Sequence, residues 1–320
     1  MRALVFREGV PRLDRAYPLP KPQPGEALIR VNLAGICATD LAILSGYGAL
    51  SGVMGHEFAG TVEQAPGAPE WHGRRVAGEI NLPCHDCIAC RRGVPAHCIV
   101  RKVIGIRDQD GAFADGLILP LANLHPLPDL IPDEAAVFIE PLAAALAITR
   151  DWPVSPAERI AVTGDGKLGL LVAQVLGLTG CDVVVIGRHA KNWGVLEKRG
   201  IPALLEPDAE SLSGAMDRVV ECSGSPTGLR LAQRLVRPKG QIILKSTLPQ
   251  ALPFDFAALT VDEITLSGSR CGPFPAAIRL LSQGVIATTP LIDGVFSLDE
   301  AEAALKRAAE RGVLKVLIRP

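Results

Sequence analysis

The sequence predicts an α/β protein with two parts, a β-rich domain and a doubly wound parallel sheet. Up to roughly residue 140, short β-rich runs such as ALIRVNLAG and EFAGTVEQA alternate with glycine and proline turns. From about 142 to 270, short apolar runs such as RIAVTG, DVVVIG and QIILKS are mostly separated by helix-like segments. That alternation predicts a parallel sheet covered by helices on both faces. The residues after 270 contain two helix-like stretches and a closing strand, VLKVLI.

Composition narrows the class of protein further. The chain has 320 residues, of which 48% are hydrophobic and 21% charged, so two domains with buried cores are expected and disorder is not. The net charge is −1 and there is no basic block, so neither nucleic acid nor an anionic membrane surface is an expected partner. Charges in MRALVFREGV and the Glu140–Pro141 break in the longest apolar run predict neither a signal peptide nor a membrane span. We therefore expect a cytoplasmic protein.

Half of the eight cysteines fall within one stretch, CHDCIACRRGVPAHC. Its spacing, C-x2-C-x2-C-x7-C, lets one loop wrap four thiolates around a tetrahedral zinc ion at Cys84, Cys87, Cys90 and Cys98. The ferredoxin pattern needs C-x3-C-P at its end, which is missing here. Disulfides and buried thiols fit less well in so polar a loop of a reducing compartment. Because all four ligands are cysteine, no position is open for substrate, and the predicted zinc is structural.

The strand RIAVTG runs into GDGKLG, which has the spacing G-x-G-x-x-G at Gly164, Gly166 and Gly169. After a strand and at the start of a helix, these glycines permit a tight turn, close approach of a pyrophosphate and close helix–strand packing. Lys167 and Leu168 lie between them. An ordinary glycine-rich turn is the alternative, but the context favours a dinucleotide site.

The end of the next strand indicates which dinucleotide binds. NAD sites usually carry an acidic residue there for the ribose hydroxyls. This sequence instead has Gly187 followed by Arg188, a guanidinium that can pair with a 2′-phosphate, so NADP is favoured over NAD. The alternative is that Arg188 only faces solvent. Cys222 closes a later strand, ECSG, where backbone is expected to border the cofactor.

Three further stretches contain the residues that an open zinc site needs, namely cysteine, histidine and a carboxylate. These are GICATD, GHEF and FIEP, with Cys37, Thr39 and Asp40, then His56 and Glu57, and finally Glu140. Taken singly the signals are weak, because a lone histidine is more often a core residue and a lone cysteine often a small buried hydrophobe.

Together these motifs give the chain a resemblance to a known family. GICATD, GHEFAGTVEQAPG, the four-cysteine stretch, EPLA, GDGKLG and the terminal LKVLI resemble, in order and interval, the zinc-dependent medium-chain dehydrogenases/reductases. The resemblance covers essentially the whole chain. It implies a GroES-like catalytic domain of residues 1–141 and 271–320, with a structural zinc lobe at 84–98. An inserted Rossmann domain of residues 142–270 would follow, with the active site in the cleft between the two.

The resemblance also implies roles for individual residues. Cys37 and His56 would bind a catalytic zinc ion, with Glu57 and Glu140 as carboxylate partners that ligate directly or through water. Which of the two carboxylates coordinates at rest stays open.

Three other roles follow from the same resemblance. Thr39 would relay the substrate proton, and Asp40 would steer a metal ligand. Lys315, in LKVLI, would lie near the cofactor phosphates or ribose.

The function that the resemblance implies is zinc-dependent, NAD(P)-linked interconversion of an alcohol or polyol and its aldehyde or ketone. Two zinc ions per subunit, NADP as preferred cofactor, a small-molecule substrate and a homodimer or homotetramer are expected. Threonine- or sugar-dehydrogenase specificity on the same scaffold is the alternative among enzymes. A catalytically silent dinucleotide-binding redox sensor is the alternative from a different class.

Overall fold

The chain forms two compact units in the computed structural model, which describes residues 1–48, 50–247 and 255–320. The first unit consists of Met1–Glu140 with Phe274–Pro320, and the second of Pro141–Pro273.

The described residues contain nineteen strands, numbered here in chain order. They are β1 (Ala3–Arg7), β2 (Val10–Asp14), β3 (Glu26–Gly35), β4 (Gly52–Val53), β5 (Glu57–Gln64), β6 (Arg75–Gly78), β7 (Asn81–Leu82), β8 (Lys102–Ile104), β9 (Asp108–Gln109), β10 (Gly116–Pro120), β11 (Leu124–Pro126), β12 (Arg159–Thr163), β13 (Asp182–Gly187), β14 (Ala203–Leu205), β15 (Met216–Glu221), β16 (Val236–Leu244), β17 (Thr265–Gly268), β18 (Ile292–Ser297) and β19 (Lys315–Arg319).

Ten α-helices are described over the same residues. They are α1 (Ala38–Leu44), α2 (Ile88–Arg91), α3 (Asp133–Ala136), α4 (Ile139–Asp151), α5 (Lys167–Gly177), α6 (Gly194–Glu197), α7 (Pro226–Leu235), α8 (Phe256–Val261), α9 (Phe274–Ser282) and α10 (Ala301–Ala308). None of them is long and apolar enough to cross a membrane.

The first unit is built on a sheet with the strand order β11-β6-β5-β3-β19-β18, in which β10 also pairs with β3. Two smaller sheets, β2-β1-β4 and β7-β8-β9, complete it. The long strand β3 supplies core residues such as Ile29 and Val31, which alternate to one face of the sheet as the period of two requires. The C-terminal strand β19 pairs antiparallel with the end of β3, Leu317 opposite Gly35. The last strand of the chain therefore lies beside residues 35–37.

The second unit contains a six-stranded, wholly parallel sheet in the order β14-β13-β12-β15-β16-β17. Its central strands are runs of valine and isoleucine because both faces are buried. Thr163 at the end of β12 lies beside Ile186 of β13 and Glu221 of β15. The carboxyl ends of these three strands thus meet at one edge, which is where ligands bind in sheets of this kind.

Candidate metal centres and dinucleotide site

The four clustered cysteines converge on one point in the first unit. Their sulfur atoms lie close together: 3.5 Å separates Cys87 from Cys90, 3.8 Å separates Cys87 from Cys98, and 3.5 Å separates Cys84 from Cys98. Four sulfurs about 2.3 Å from a central zinc ion in a tetrahedron would lie roughly 3.8 Å from one another. The thiols therefore fit a zinc ion without rearrangement.

Backbone groups in the same loop favour the thiolate form that a metal requires. Hydrogen bonds from N–H groups, first those of Asp86 and Cys87, lower the pKa of Cys84. Those of Ile99 and Cys90 lower the pKa of Cys87 to about 6. Burial and the neighbouring thiols instead raise the pKa of Cys90 to about 12, so only part of the cluster favours the thiolate, the form of cysteine that ligates zinc.

A second cluster brings together Cys37, His56 and Glu57, whose ligand atoms all lie within 4.8 Å of one another. The pairing of β3 with β5 explains this, because Gly35 lies opposite Glu57 and Cys37 follows directly as the N-cap of α1. One sulfur, one imidazole and one carboxylate leave a fourth tetrahedral position free, as a catalytic zinc site requires. The three residues fit such an ion.

Asp40 joins two of these residues from behind. Its Oδ2 accepts a hydrogen bond of 2.8 Å from the backbone N–H of Cys37, and its Oδ1 lies 3.4 Å from Nδ1 of His56. Because Nδ1 faces this buried carboxylate, Nε2 is the imidazole nitrogen left for a metal. Burial by itself lowers the pKa of His56, but the charges of Asp40 and Cys37 outweigh it and raise that pKa well above its ordinary value.

Lys315, which was expected near the cofactor phosphates or ribose, is buried in this same cluster. Its side chain is 0% exposed, and its ammonium forms an ion pair with Oε2 of Glu57, which is 1% exposed. The ammonium also lies 3.5 Å from the carbonyl oxygen of Ile36 and 5.6 Å from the ring centre of Phe138. The pairing of β19 with β3 buries this lysine, so it contacts a candidate metal ligand instead of solvent.

Gly35 makes room for this ion pair. A Cβ atom at residue 35 would lie 2.8 Å from Oε2 of Glu57 and 2.6 Å from Cγ1 of Val137. Any side chain there would push the carboxylate or the packing residue out of place.

The other two residues expected near the metal differ in position. The hydroxyl of Thr39 lies 3.7 Å from Sγ of Cys37, beside the candidate ligands. Glu140 lies in the first turn of α4 and does not belong to either group of potential ligand atoms found among the described residues. Glu57 is therefore the carboxylate that the structure groups with Cys37 and His56.

In the second unit, the glycine-rich loop has the shape that its spacing predicts. Gly164 has a φ of +109°, and a Cβ atom there would lie 2.8 Å from the backbone of Cys222. A Cβ atom on Gly169 would lie 1.9 Å from the carbonyl oxygen of Gly164. At Gly166, by contrast, a Cβ atom would meet nothing within 4 Å, so the backbone is open to an approaching ligand at the start of α5. Lys167 and Leu168 form the first turn of that helix.

Arg188 follows the end of β13, and its side chain is 54% exposed. Its Nε lies 2.6 Å from Oε2 of Glu206, and its Nη2 donates a hydrogen bond of 2.6 Å to Oγ1 of Thr227. The guanidinium is therefore held at the sheet edge rather than free in solvent.

Two features of these sites were not expected from the sequence. The first is the burial of Lys315 against Glu57. The second is Asp165, a buried acid between two loop glycines whose carboxylate accepts backbone N–H groups of Arg188 and His189. The sequence signal that could have predicted the second feature is the acidic residue between the first two glycines of the motif, together with a glycine at the end of the next strand.

Comparison with known protein families gives one match in each half of the chain. Residues 23–129 match the alcohol dehydrogenase GroES-like domain, and residues 168–283 match the zinc-binding dehydrogenase domain. An L-threonine 3-dehydrogenase from Pyrococcus abyssi is 31% identical over 94% of this chain and 93% of its own length. The chain belongs to the zinc-dependent medium-chain dehydrogenase/reductase family. The expected GroES-like and Rossmann folds are thereby confirmed.

Other members of the family share the whole fold. The L-galactonate-5-dehydrogenase of Escherichia coli is 28% identical over 98% of this chain and 96% of its own length. A zinc-binding dehydrogenase structure from Sinorhizobium meliloti, bound to NADP, has a TM-score of 0.92 at 28% identity over 100% of this chain and 99% of its own. The RspB structure from E. coli, complexed with NADH, has a TM-score of 0.90 at 27% identity, with the same coverage. The protein is thus an oxidoreductase that acts on the CH–OH group of a small alcohol or polyol with NAD or NADP.

Proposed function

We propose that this dehydrogenase holds two zinc ions, a structural one at the four clustered cysteines and a catalytic one at Cys37, His56 and Glu57, and that it prefers NADP. The observation that carries the proposal is the second cluster, in which sulfur, imidazole and carboxylate ligand atoms lie within 4.8 Å of one another. That donor set, with one coordination position left over, is typical of a catalytic zinc ion and not of a structural one.

The zinc ion, when bound, supplies Lewis acidity that lowers the pKa of an alcohol or polarises a carbonyl group. The protein's own part is to hold that ion and to keep its ligands in place. Asp40 does the second task, since it fixes the backbone at Cys37 and faces Nδ1 of His56. Lys315 balances the charge of Glu57, and both side chains are buried.

Oxidation of the CH–OH group moves a hydride to the nicotinamide and releases the hydroxyl proton. Thr39 is the hydroxyl residue beside Cys37, 3.7 Å from its sulfur, and it is partly exposed. We assign to it the transfer of this proton away from the substrate, and the return of a proton when a carbonyl is reduced.

The preference for NADP is supported by the end of β13. Gly187 offers no carboxylate to the ribose hydroxyls, and Arg188 follows it with a half-exposed guanidinium. A guanidinium pairs with phosphate through parallel charge-assisted hydrogen bonds, which makes a 2′-phosphate the matching group.

The substrate proposed is a small alcohol or polyol, with threonine- or sugar-dehydrogenase specificity as the alternative. A silent redox sensor is the remaining alternative, and the intact ligand set of Cys37, His56 and Glu57 argues against it. A homodimer or homotetramer in the cytoplasm is the expected form, by the family resemblance, and size-exclusion chromatography with light scattering would test the assembly.

The central experiment compares wild type with Cys37→Ala. Elemental analysis of wild type should give two zinc ions per chain, and Cys37→Ala should retain one of them. Turnover of alcohols and polyols with NADP should vanish in the variant, because the thiolate ligand is gone. Binding of NADP by calorimetry should remain, since the dinucleotide loop is in the other unit.

Cys181→Ala is the matched control, because it removes a buried thiol that belongs to neither cluster. It should keep both zinc ions and full turnover. Wild-type protein with only one zinc ion per chain, or Cys37→Ala protein that still turns over, would contradict the proposal.

A further inference from the structure

Asp165 connects the glycine-rich loop to the segment that follows the next strand. It lies between Gly164 and Gly166 and is only 4% exposed. Its Oδ2 accepts the backbone N–H of Arg188 at 3.0 Å, that of His189 at 2.6 Å, and the indole N–H of Trp193 at 3.1 Å.

Its second oxygen is also engaged, because Oδ1 lies 3.2 Å from Nδ1 of His189. Burial by itself raises the pKa of Asp165, but hydrogen bonds from His189 and Trp193 outweigh it and hold the pKa below its usual value. Asp165 is therefore an anion whose acceptor positions are filled by the segment from Arg188 to Trp193. It has little capacity left for ribose hydroxyls.

The glycine at the end of β13 is a consequence of this carboxylate. A Cβ atom on Gly187 would lie 2.3 Å from Cγ and 2.3 Å from Oδ2 of Asp165. Position 187 is the strand end at which NAD-binding folds carry the acid that accepts the ribose hydroxyls. With Asp165 in place, no acidic side chain can occupy it.

The segment held in this way is basic where it meets solvent. Arg188, which is also paired with Glu206, has a 54% exposed side chain, His189 a 35% exposed one, and Lys191 is exposed as well. Three basic residues within four positions, above a strand end without a carboxylate, match a phosphate ester better than a diol.

We propose that Asp165 is a positioning residue that sets the dinucleotide preference, by excluding an acid at position 187 and by holding Arg188 and His189 for a 2′-phosphate. The inference rests on the proposed use of NADP and identifies the residue that determines it. The hydrogen bonds from two consecutive N–H groups to one oxygen fix the backbone of the segment before a ligand arrives. The entropy cost of ordering this segment therefore does not reduce the binding free energy.

The test uses adenosine 2′,5′-bisphosphate and 5′-AMP as probes, because they differ only in the 2′-phosphate. Calorimetry on wild type and Asp165→Asn should show affinity for the bisphosphate falling about tenfold or more, while that for 5′-AMP changes less than about threefold. The amide has one acceptor oxygen where the carboxylate has two, and it carries no charge, so its hold on Arg188 and His189 is weaker. The emission of Trp193 should shift with the loss of its hydrogen bond.

A second pair of variants moves the carboxylate rather than removing it. Asp165→Gly combined with Gly187→Asp puts the acid at the strand end and leaves space for its Cβ atom. This double variant should prefer 5′-AMP and NAD, whereas Gly187→Asp alone should bind both probes poorly because its side chain collides with Asp165.

Three outcomes would overturn the inference. If Asp165→Asn weakens both probes equally, the residue only shapes the pyrophosphate turn. If 5′-AMP is weakened more than the bisphosphate, Asp165 itself accepts from the ribose. If the preference is unchanged, the residue has no part in it. Wild-type protein without a preference for the 2′-phosphate contradicts the proposed NADP use as well, whereas a variant that keeps the preference contradicts this inference alone.

Discussion

The buried pair of Lys315 and Glu57 gives a prediction whose size can be worked out. Lys315→Met removes the ammonium and keeps a side chain of similar length against Phe138. The carboxylate of Glu57, 1% exposed, is then left buried without its partner. Removing one member of a buried ion pair costs about 3–5 kcal/mol of unfolding free energy.

For a unit of this size, each kcal/mol lowers the melting temperature by about 2–4 °C, so metal-free Lys315→Met should melt about 10 °C below wild type. The matched control is Arg319→Met, a change in the same strand as Lys315 that breaks the ion pair of Arg319 with Glu134. That pair has side chains 58% and 43% exposed, and its loss should cost at most about 1 kcal/mol.

The assay is thermal and urea unfolding of each variant, first after chelation and then with zinc restored. Lys315→Met combined with Glu57→Gln should cost less than the sum of the single changes in chelated protein, because neither charge is then left alone. Zinc-loaded Lys315→Met should lose less stability than the chelated variant, since an ion bound by Glu57 supplies the missing positive charge. Additive costs, or a Lys315→Met variant as stable as Arg319→Met, would refute the reasoning.

Three further predictions concern the metal lobe, the metal ligands and pH. Cys98→Ser should lower the zinc content from two ions to one and speed tryptic cleavage at the exposed Arg91 and Arg92, because the loop that holds them loosens; a zinc-replete variant would contradict the structural site. Asp40→Asn should weaken the catalytic zinc by about 10–100-fold in a chelator competition and leave the lobe's zinc unchanged, and equal affinities would rule out its positioning role. Burial and Asp110 raise the pKa of Tyr17 to about 12. Because an unfolded tyrosine titrates near about 10, its contribution to stability should be present below about pH 10 and lost as pH rises through about 12. An ultraviolet difference titration of wild type against Tyr17→Phe should show a tyrosine that ionises near pH 12. A difference component near pH 10 would contradict the prediction.

Much of the fold follows from local patterns in the sequence. DVVVIG, a run of β-branched residues ended by glycine, forms β13 over the same residues, Asp182–Gly187. RIAVTG forms β12 and the start of the glycine-rich turn. A short, continuous run of apolar residues indicates a strand that is buried on both faces, as the strands of parallel sheets are. The four-cysteine spacing is equally local, since one loop supplies every ligand.

The contacts that sequence reasoning missed join residues far apart in the chain. Lys315 meets Glu57 across 258 positions only because β19 inserts beside β3. VLKVLI by itself indicates a strand but does not indicate that the lysine points inward. A lysine in a closing strand reads as solvated, because lysine is almost never fully buried unless it is paired.

Asp165 and Gly187 show how such a pair can still be read once the sheet order is known. Adjacent parallel strands bring the loop after β12 next to the end of β13, so a residue in one determines what fits in the other. Gly187 then reflects a steric constraint as well as the absence of an acid, because the carboxylate of Asp165 occupies the space that a side chain at position 187 would need. If the inference about Asp165 holds, cofactor preference depends on the combination of the two positions, and the strand end alone does not give the cause.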